Sequence, residues 1–217
     1  MKENKIMVAK KFKTITYNFF HWGPFLYKTK LTDEETNKIK KLCKKDNKKD
    51  FRKKLAGLIK NEYLIDEKKL FPIILNYLES YNKASVEHWN KFLGNKITLV
   101  QAWVNYMTKF ESNPLHTHEG DLSFVIFTQV PEGLKKENAE TISDSKPGSI
   151  NFISSLADQK YDINKHIFFP EVNDMFIFPS TLNHCVNHFK SEGERISVSG
   201  NIKVSFYTNE REKIANV

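Results

Sequence analysis

The sequence predicts a mainly β protein with helices gathered at its N-terminal side, an α+β arrangement in which a sandwich or barrel carries flanking helices. Three observations predict it. Apolar residues recur at helical spacing over roughly residues 32 to 90, the period drops to two after Gly94, and the two kinds of element run in blocks rather than alternating. Alternation would signal βαβ units around a parallel sheet. At 217 residues the chain can bury a real core within a single domain, read as a helical part over about 1–95 and a β core over about 96–208.

The helical block opens with LTDEETNKIKKLC. Thr32 stands at an N-cap with Glu35 three residues on, the spacing of a capping box, and Ile39, Leu42 and Cys43 share a face. DFRKKLAGLIKNEY repeats the pattern: Phe51, Leu55, Leu58 and Ile59 form a stripe with Lys and Arg on the other side, which predicts a second helix. DEKKLFPIILNYLESY spaces Leu70, Ile73, Ile74, Tyr77, Leu78 and Tyr81 as a third, with Pro72 setting its regular start near residue 71.

The strands follow. KITLVQAWVNYMTKF alternates and is rich in β-branched and aromatic residues, and LSFVIFTQV, SINFIS, DMFIFPS and RISVSGNIKVSFY come after it between Pro, Gly, Asn and Asp clusters. The polar, turn-rich segment 131–149 predicts a mobile loop between strands. No internal repeat is present.

Composition excludes some function classes and weighs against others. No apolar stretch approaches the roughly 20 residues of a membrane helix, and MKENKIMVAKKFKTITYNFF has no apolar run followed by a small-residue cleavage site, so a cytoplasmic location is expected. Cys43 and Cys185 sit in unrelated contexts, as reduced thiols would. The net charge of +8 comes largely from lysines between Lys28 and Lys69, where a solvated helical face explains it. A nucleic-acid partner is possible and not favoured, because the aromatics there fall on apolar stripes rather than among exposed basic residues. Only Arg52, Arg195 and Arg211 are arginines, so each raises the question of planar, bidentate binding.

Chemistry concentrates in the β block. In NPLHTHEGDLSFVIF, His116 and His118 would aim at one point if the segment is extended, as metal ligands must; the alternative is a pair of ordinary loop histidines. In NDMFIFPSTLNHCVNHF, His184 opens what reads as a new strand and offers a third imidazole at the same barrel end. His188 lies four residues on and reads as a surface or supporting residue, while Cys185 faces away and reads as packing. Arg195, in ERISVSGN, could hold a carboxylate through two parallel hydrogen bonds, with Ser197 facing the same way; the alternative is a surface arginine paired with Glu192 or Glu194.

The order HxH, apolar strand, FIFPSxxNH, ERISVSxN resembles the Fe(II)- and 2-oxoglutarate-dependent oxygenases, specifically the prolyl 4-hydroxylase-like group of phages and marine bacteria. The resemblance covers about residues 97–206, and WGPFLYKTKLTDEETNKIKKLC resembles the helical opening of the same group. It implies a double-stranded β-helix, a cupin-like jelly roll with the metal at its open end. It also implies His116 and His184 as iron ligands and Arg195 as the anchor of the far carboxylate of 2-oxoglutarate.

Where the group has an acid, this chain has His118. Three ligand sets stand open: three histidines, a set using Asp121 or Glu119 through a turned backbone, or a His118-x-Gly120 arrangement in which no acid binds the metal, and the strand-compatible spacing of His118 favours the first. Three neutral imidazoles would compensate Fe(II) less than the usual set and could prefer another divalent metal. The resemblance further implies dioxygen as reactant, ascorbate as a possible reductant, and hydroxylation of a protein or small-molecule substrate with decarboxylation of 2-oxoglutarate to succinate. Location would be the host cytoplasm were the gene viral. Asn105 and Tyr106 are expected in the cosubstrate pocket, Trp103 in its wall, and 131–149 as a lid. The competing reading is a cupin-like metal-binding barrel without oxygenase activity.

Overall fold

The computed structural model describes residues 23–43, 49–143, 146–155 and 163–206. The N-terminal stretch read for a leader, and Arg211, lie outside them. In chain order the elements are β1 (Tyr27–Lys30), α1 (Asp33–Leu42), β2 (Glu62–Leu64), α2 (Glu67–Trp89), β3 (Lys96–Met107), β4 (Asn113–His116), β5 (Leu122–Gln129), α3 (Glu132–Glu140), β6 (Ile150–Ile153), β7 (Lys165–Phe168), β8 (Asp174–Pro179), β9 (Asn183–Val186) and β10 (Arg195–Ser205). They form a six-stranded sheet ordered β1-β8-β5-β10-β3-β2 and a four-stranded sheet ordered β4-β9-β6-β7, with antiparallel pairing throughout. Two such sheets face to face make the jelly roll that the sequence predicts.

Strict alternation assigns every inner residue of the large sheet to one of two cores. Ala102, Val104 and Tyr106 of β3, Phe124 and Ile126 of β5, Met175 and Ile177 of β8 and Val198 of β10 pack outward under α1 and α2, against Ile39, Leu70, Ile74 and Leu78. Their neighbours Met107, Val125, Phe127, Phe176 and Phe178 point between the sheets and meet Phe152, Val186 and Phe189. Each fully buried ring there contributes about 2–3 kcal/mol, and deleting one costs about 3–5 kcal/mol once the cavity is counted. The second core is the floor on which the site rests.

α1 forms as its sequence predicts. Thr32 accepts from the Glu35 amide while the Glu35 carboxylate accepts from the Thr32 amide, closing the capping box. α2 starts earlier than residue 71, at Glu67, capped by Asp66; Pro72 sits on its exposed side, where water can take the Lys68 carbonyl that proline leaves unbonded. The predicted helix over 50–63 is absent. Only Arg52–Lys54 turn as a 3₁₀ helix, and the rest is an extended strap whose backbone pairs elsewhere: Phe51 donates to Glu62, Leu58 to Ser112, and β2 lies along β3. Tertiary pairing overrides the stripe, and Leu58, assigned by it to the core, is 70% exposed. Segment 131–149 is likewise not all loop, because α3 forms there and buries Leu134.

Candidate active site

β4 and β9 are paired so that His116 stands directly opposite His184. His118 lies just past the end of β4 and is held by its own amide, which donates to the Ser180 carbonyl at 2.9 Å. Beyond it Gly120, at φ 100°, turns the chain back into β5, a backbone that glycine alone adopts without strain. The three rings gather with centroids 4.2 to 4.9 Å apart, and one nitrogen from each lies within 4.8 Å of the other two. Among the described residues no carboxylate joins them.

The hydrogen bonds orient the rings. Nδ1 of His116 lies 2.7 Å from the Pro114 carbonyl and Nδ1 of His184 lies 2.9 Å from the Leu182 carbonyl, so each places its proton on Nδ1 and presents the Nε2 lone pair. Nε2 of His184 and Nε2 of His118 stand 3.1 Å apart. Burial first, then the neighbouring imidazoles, pushes His184 down to about 3 and His118 to about 4, and burial lowers His116 as well. All three are neutral near pH 7, the form that binds metal. Trp103 lies tilted against His118 at 5.4 Å, and Phe178 closes on His184 at 4.9 Å.

The cluster opens into a cavity of about 180 Å³ whose wall includes Arg195, Ser197, Asn105, Trp103 and Glu62. Arg195 is 2% exposed. Its guanidinium lies over the Phe127 ring at 4.6 Å, and its Nη1 faces the Met107 sulfur at 3.8 Å. Nε and Nη2 have no partner among the described residues. Burial without a counter-ion pulls this group down to about 9, so it remains a cation at pH 7. Ser197 is buried two residues along β10 on the same face, receiving a 3.4 Å hydrogen bond from Asn105 Nδ2.

Most of the residues expected to converge do so. His116, His118, His184, Arg195, Ser197, Asn105 and Trp103 all border the one cavity. Tyr106 does not: beyond the irregularity near Val100, even-numbered β3 residues face the helices, and its hydroxyl donates to the Cys43 carbonyl. The alternative acids are elsewhere too. Asp121 is exposed and accepts from the Val204 amide at 2.8 Å, and Glu119 is exposed. Cys185 is half-buried beside Asn151 and His188 is exposed. Sequence reasoning missed Glu62, Asn113 and Ser199, which also line the cavity; Ser199 was legible from the period of β10, whereas Glu62 was concealed by the false helix.

The jelly roll carries a histidine cluster that could hold a metal ion and a buried arginine whose Nε and Nη2 could take an anion. Comparison with known proteins gives the class a name. Residues 101–201, just under half of the chain, match the family model described as "Putative 2OG-Fe(II) oxygenase". Among solved structures, a Pseudomonas putida prolyl-4-hydroxylase superposes with a TM-score of 0.52 at 14% identity, covering 83% of this chain and 92% of its own. The viral collagen prolyl hydroxylase of Paramecium bursaria Chlorella virus-1, in complex with 2-oxoglutarate, gives 0.53 at 12%, covering 83% and 97%. HygX from Streptomyces hygroscopicus, with nickel and 2-oxoglutarate bound, gives 0.53 at 12%, covering 86% and 85%. At such identities these likenesses show the shared fold. A search of curated proteins finds no match. Over residues 101–201 the chain is similar to the 2OG-Fe(II) oxygenases, a family named for its Fe(II) and 2-oxoglutarate.

The residues present suit both groups. Two nitrogens bound at about 2.1 Å and about 90° apart are about 3.0 Å from each other, close to the 3.1 Å between His118 and His184. The orphaned Nε and Nη2 of Arg195 are the two donors that a bidentate carboxylate takes.

Proposed function

We propose that His116, His118 and His184 hold Fe(II) as a three-histidine face, that Arg195 with Ser197 holds the far carboxylate of 2-oxoglutarate, and that this site hydroxylates a substrate. One oxygen atom of dioxygen enters a C–H bond of the substrate and the other enters succinate as CO2 leaves; ascorbate can serve as reductant. Bound iron would supply the activation of dioxygen.

The chain's own part is positioning and screening. Carbonyls of residues 114 and 182 fix the tautomers of two ligands. Arg195 orients the cosubstrate by a charge that pairs with no carboxylate among the described residues. Phe127, Phe152 and Phe178 keep the inner side dry, which strengthens that attraction. The observation that carries the reading is the orphaned Arg195 cation in the same cavity as three converging imidazoles. A buried guanidinium with unmet donors is costly unless an anion completes it.

The substrate is a protein group or a small molecule. Among the described residues no helix is long and apolar enough to cross a membrane. Among the described residues Cys43 and Cys185 form no disulfide, which fits a reducing, cytoplasmic setting. The test is succinate formation from 2-oxoglutarate with Fe(II) and ascorbate, for the natural chain and for Arg195→Met. Turnover that the variant loses supports the reading. Metal binding with no succinate from the natural chain would leave a cupin-like metal protein instead.

A further inference from the structure

The same cavity has a second, opposite polarity. Glu62 is fully buried, and neither of its carboxylate oxygens has a hydrogen-bond partner among the described residues. Nor has Oδ1 of Asn105, which faces Glu62 in the β2–β3 register, or Oδ1 of Asn113, which begins the strand that ends at His116. Oε1 of Glu62 and Oδ1 of Asn113 converge: they lie 2.6 and 3.2 Å from the point where a side chain on Gly57 would begin, so glycine there leaves both oxygens room. All three side chains border the cavity.

With Glu62 ionised these atoms are acceptors only, and no donor among the described residues reaches them. The nearby carboxylate of Glu111 is already occupied by the amides of Lys60 and Thr108. Lys54 borders the cavity, yet neither oxygen of Glu62 has a hydrogen-bond partner among the described residues, and Arg52, whose charge favours the ionised form, is itself paired with Asp50. Burial, then the Glu111 charge, pushes Glu62 up to about 7. A carboxylate so placed needs a cation to ionise comfortably, and a cluster of unmet acceptors needs N–H groups.

We propose that Glu62, flanked by Asn105 and Asn113, is the specificity-determining residue for the primary substrate and receives a cationic nitrogen, an ammonium or guanidinium group, in the cavity whose Arg195 takes 2-oxoglutarate. The assignment rests on the oxygenase reading of that cavity. Its polarity also sorts the two ligands: Arg195 attracts the anionic cosubstrate, while Glu62 repels it and attracts an amine.

The test is calorimetry on the full, metal-free chain with four probes: agmatine, 1,4-diaminobutane, 1,4-butanediol and glutarate. The two amines should bind the natural protein at least tenfold more tightly than butanediol, and Glu62→Gln should erase that preference. Equal binding of amines and butanediol, including no measurable binding of either at millimolar concentration, overturns the proposal, as does an amine preference that survives in Glu62→Gln. The comparison within the natural protein needs no variant to fold. Stabilisation of the Fe(II)-loaded chain by 2-oxoglutarate is measured alongside. Its absence removes the oxygenase reading on which the assignment rests, whereas its presence without amine preference removes this assignment alone.

Discussion

Replacing Arg195 by methionine should stabilise the ligand-free protein while destroying its affinity for 2-oxoglutarate. The guanidinium is wholly buried, and burial alone has pulled it far below the ordinary arginine range, to about 9; at about 1.36 kcal/mol per tenfold, that is about 5 kcal/mol of lost solvation. Stacking over Phe127 and contact with the Met107 sulfur offset about 2 kcal/mol. Methionine fills similar space without charge, so the metal-free variant should gain about 2–3 kcal/mol, a rise of roughly 5–10 °C in Tm for a chain of this size. Losing one partner of a buried charge pair costs about 2–5 kcal/mol, so the Kd for 2-oxoglutarate should rise about thirtyfold or more. Thermal denaturation and anaerobic titration of 2-oxoglutarate into the Fe(II)-loaded chain read the two effects. A variant less stable than the natural chain, or one whose Kd changes less than threefold, refutes the reasoning.

Three further outcomes are expected. His118→Ala should weaken Fe(II) binding at least tenfold in equilibrium dialysis, whereas Asp121→Asn should leave it unchanged, because the Asp121 carboxylate is engaged by Val204 rather than by the cluster. The elevated Glu62 makes pH a probe of stability. The unfolded chain loses this proton near 4.5 and the folded chain near 7, so the contribution of Glu62 to stability falls as pH rises between those values, and allowing for solvent in the cavity the fall is about 2 kcal/mol. The buried histidines act in the opposite sense over the same range, so denaturant melts at pH 5 and pH 8 should show the decline as a difference, the natural chain losing about 2 kcal/mol relative to Glu62→Gln. Tyr106→Phe should cost about 1 kcal/mol through the lost bond to Cys43 yet leave the Kd for 2-oxoglutarate unaltered, as its place among the helices requires.

What the sequence disclosed was whatever periodicity and local chemistry control. Period two in β3 and β10 put Trp103, Asn105, Arg195 and Ser197 on the barrel side, and the spacing of His116 and His118 already implied convergence. The capping box of α1 was legible because all its partners lie within four residues. The strap over 49–64 was not, since its helical stripe is genuine and only pairing with β3 and Ser112 forbids the helix. That error hid Glu62, whose significance depends on neighbours about 40 and 50 residues away in sequence. Tyr106 was misplaced for a simpler reason: adjacent to Asn105, it must face the opposite side of the same strand.

The central claim is that one cation is held by three imidazoles above a guanidinium that grips the cosubstrate. Crystals grown without oxygen, with Fe(II) and 2-oxoglutarate, and measured at the iron absorption edge, address it directly. The account predicts a single iron peak within bonding distance of Nε2 of His116 and His184 and of a ring nitrogen of His118, with the far carboxylate of 2-oxoglutarate on Nε and Nη2 of Arg195. Iron bound by a side-chain carboxylate in place of His118, or 2-oxoglutarate lying away from Arg195, would contradict it.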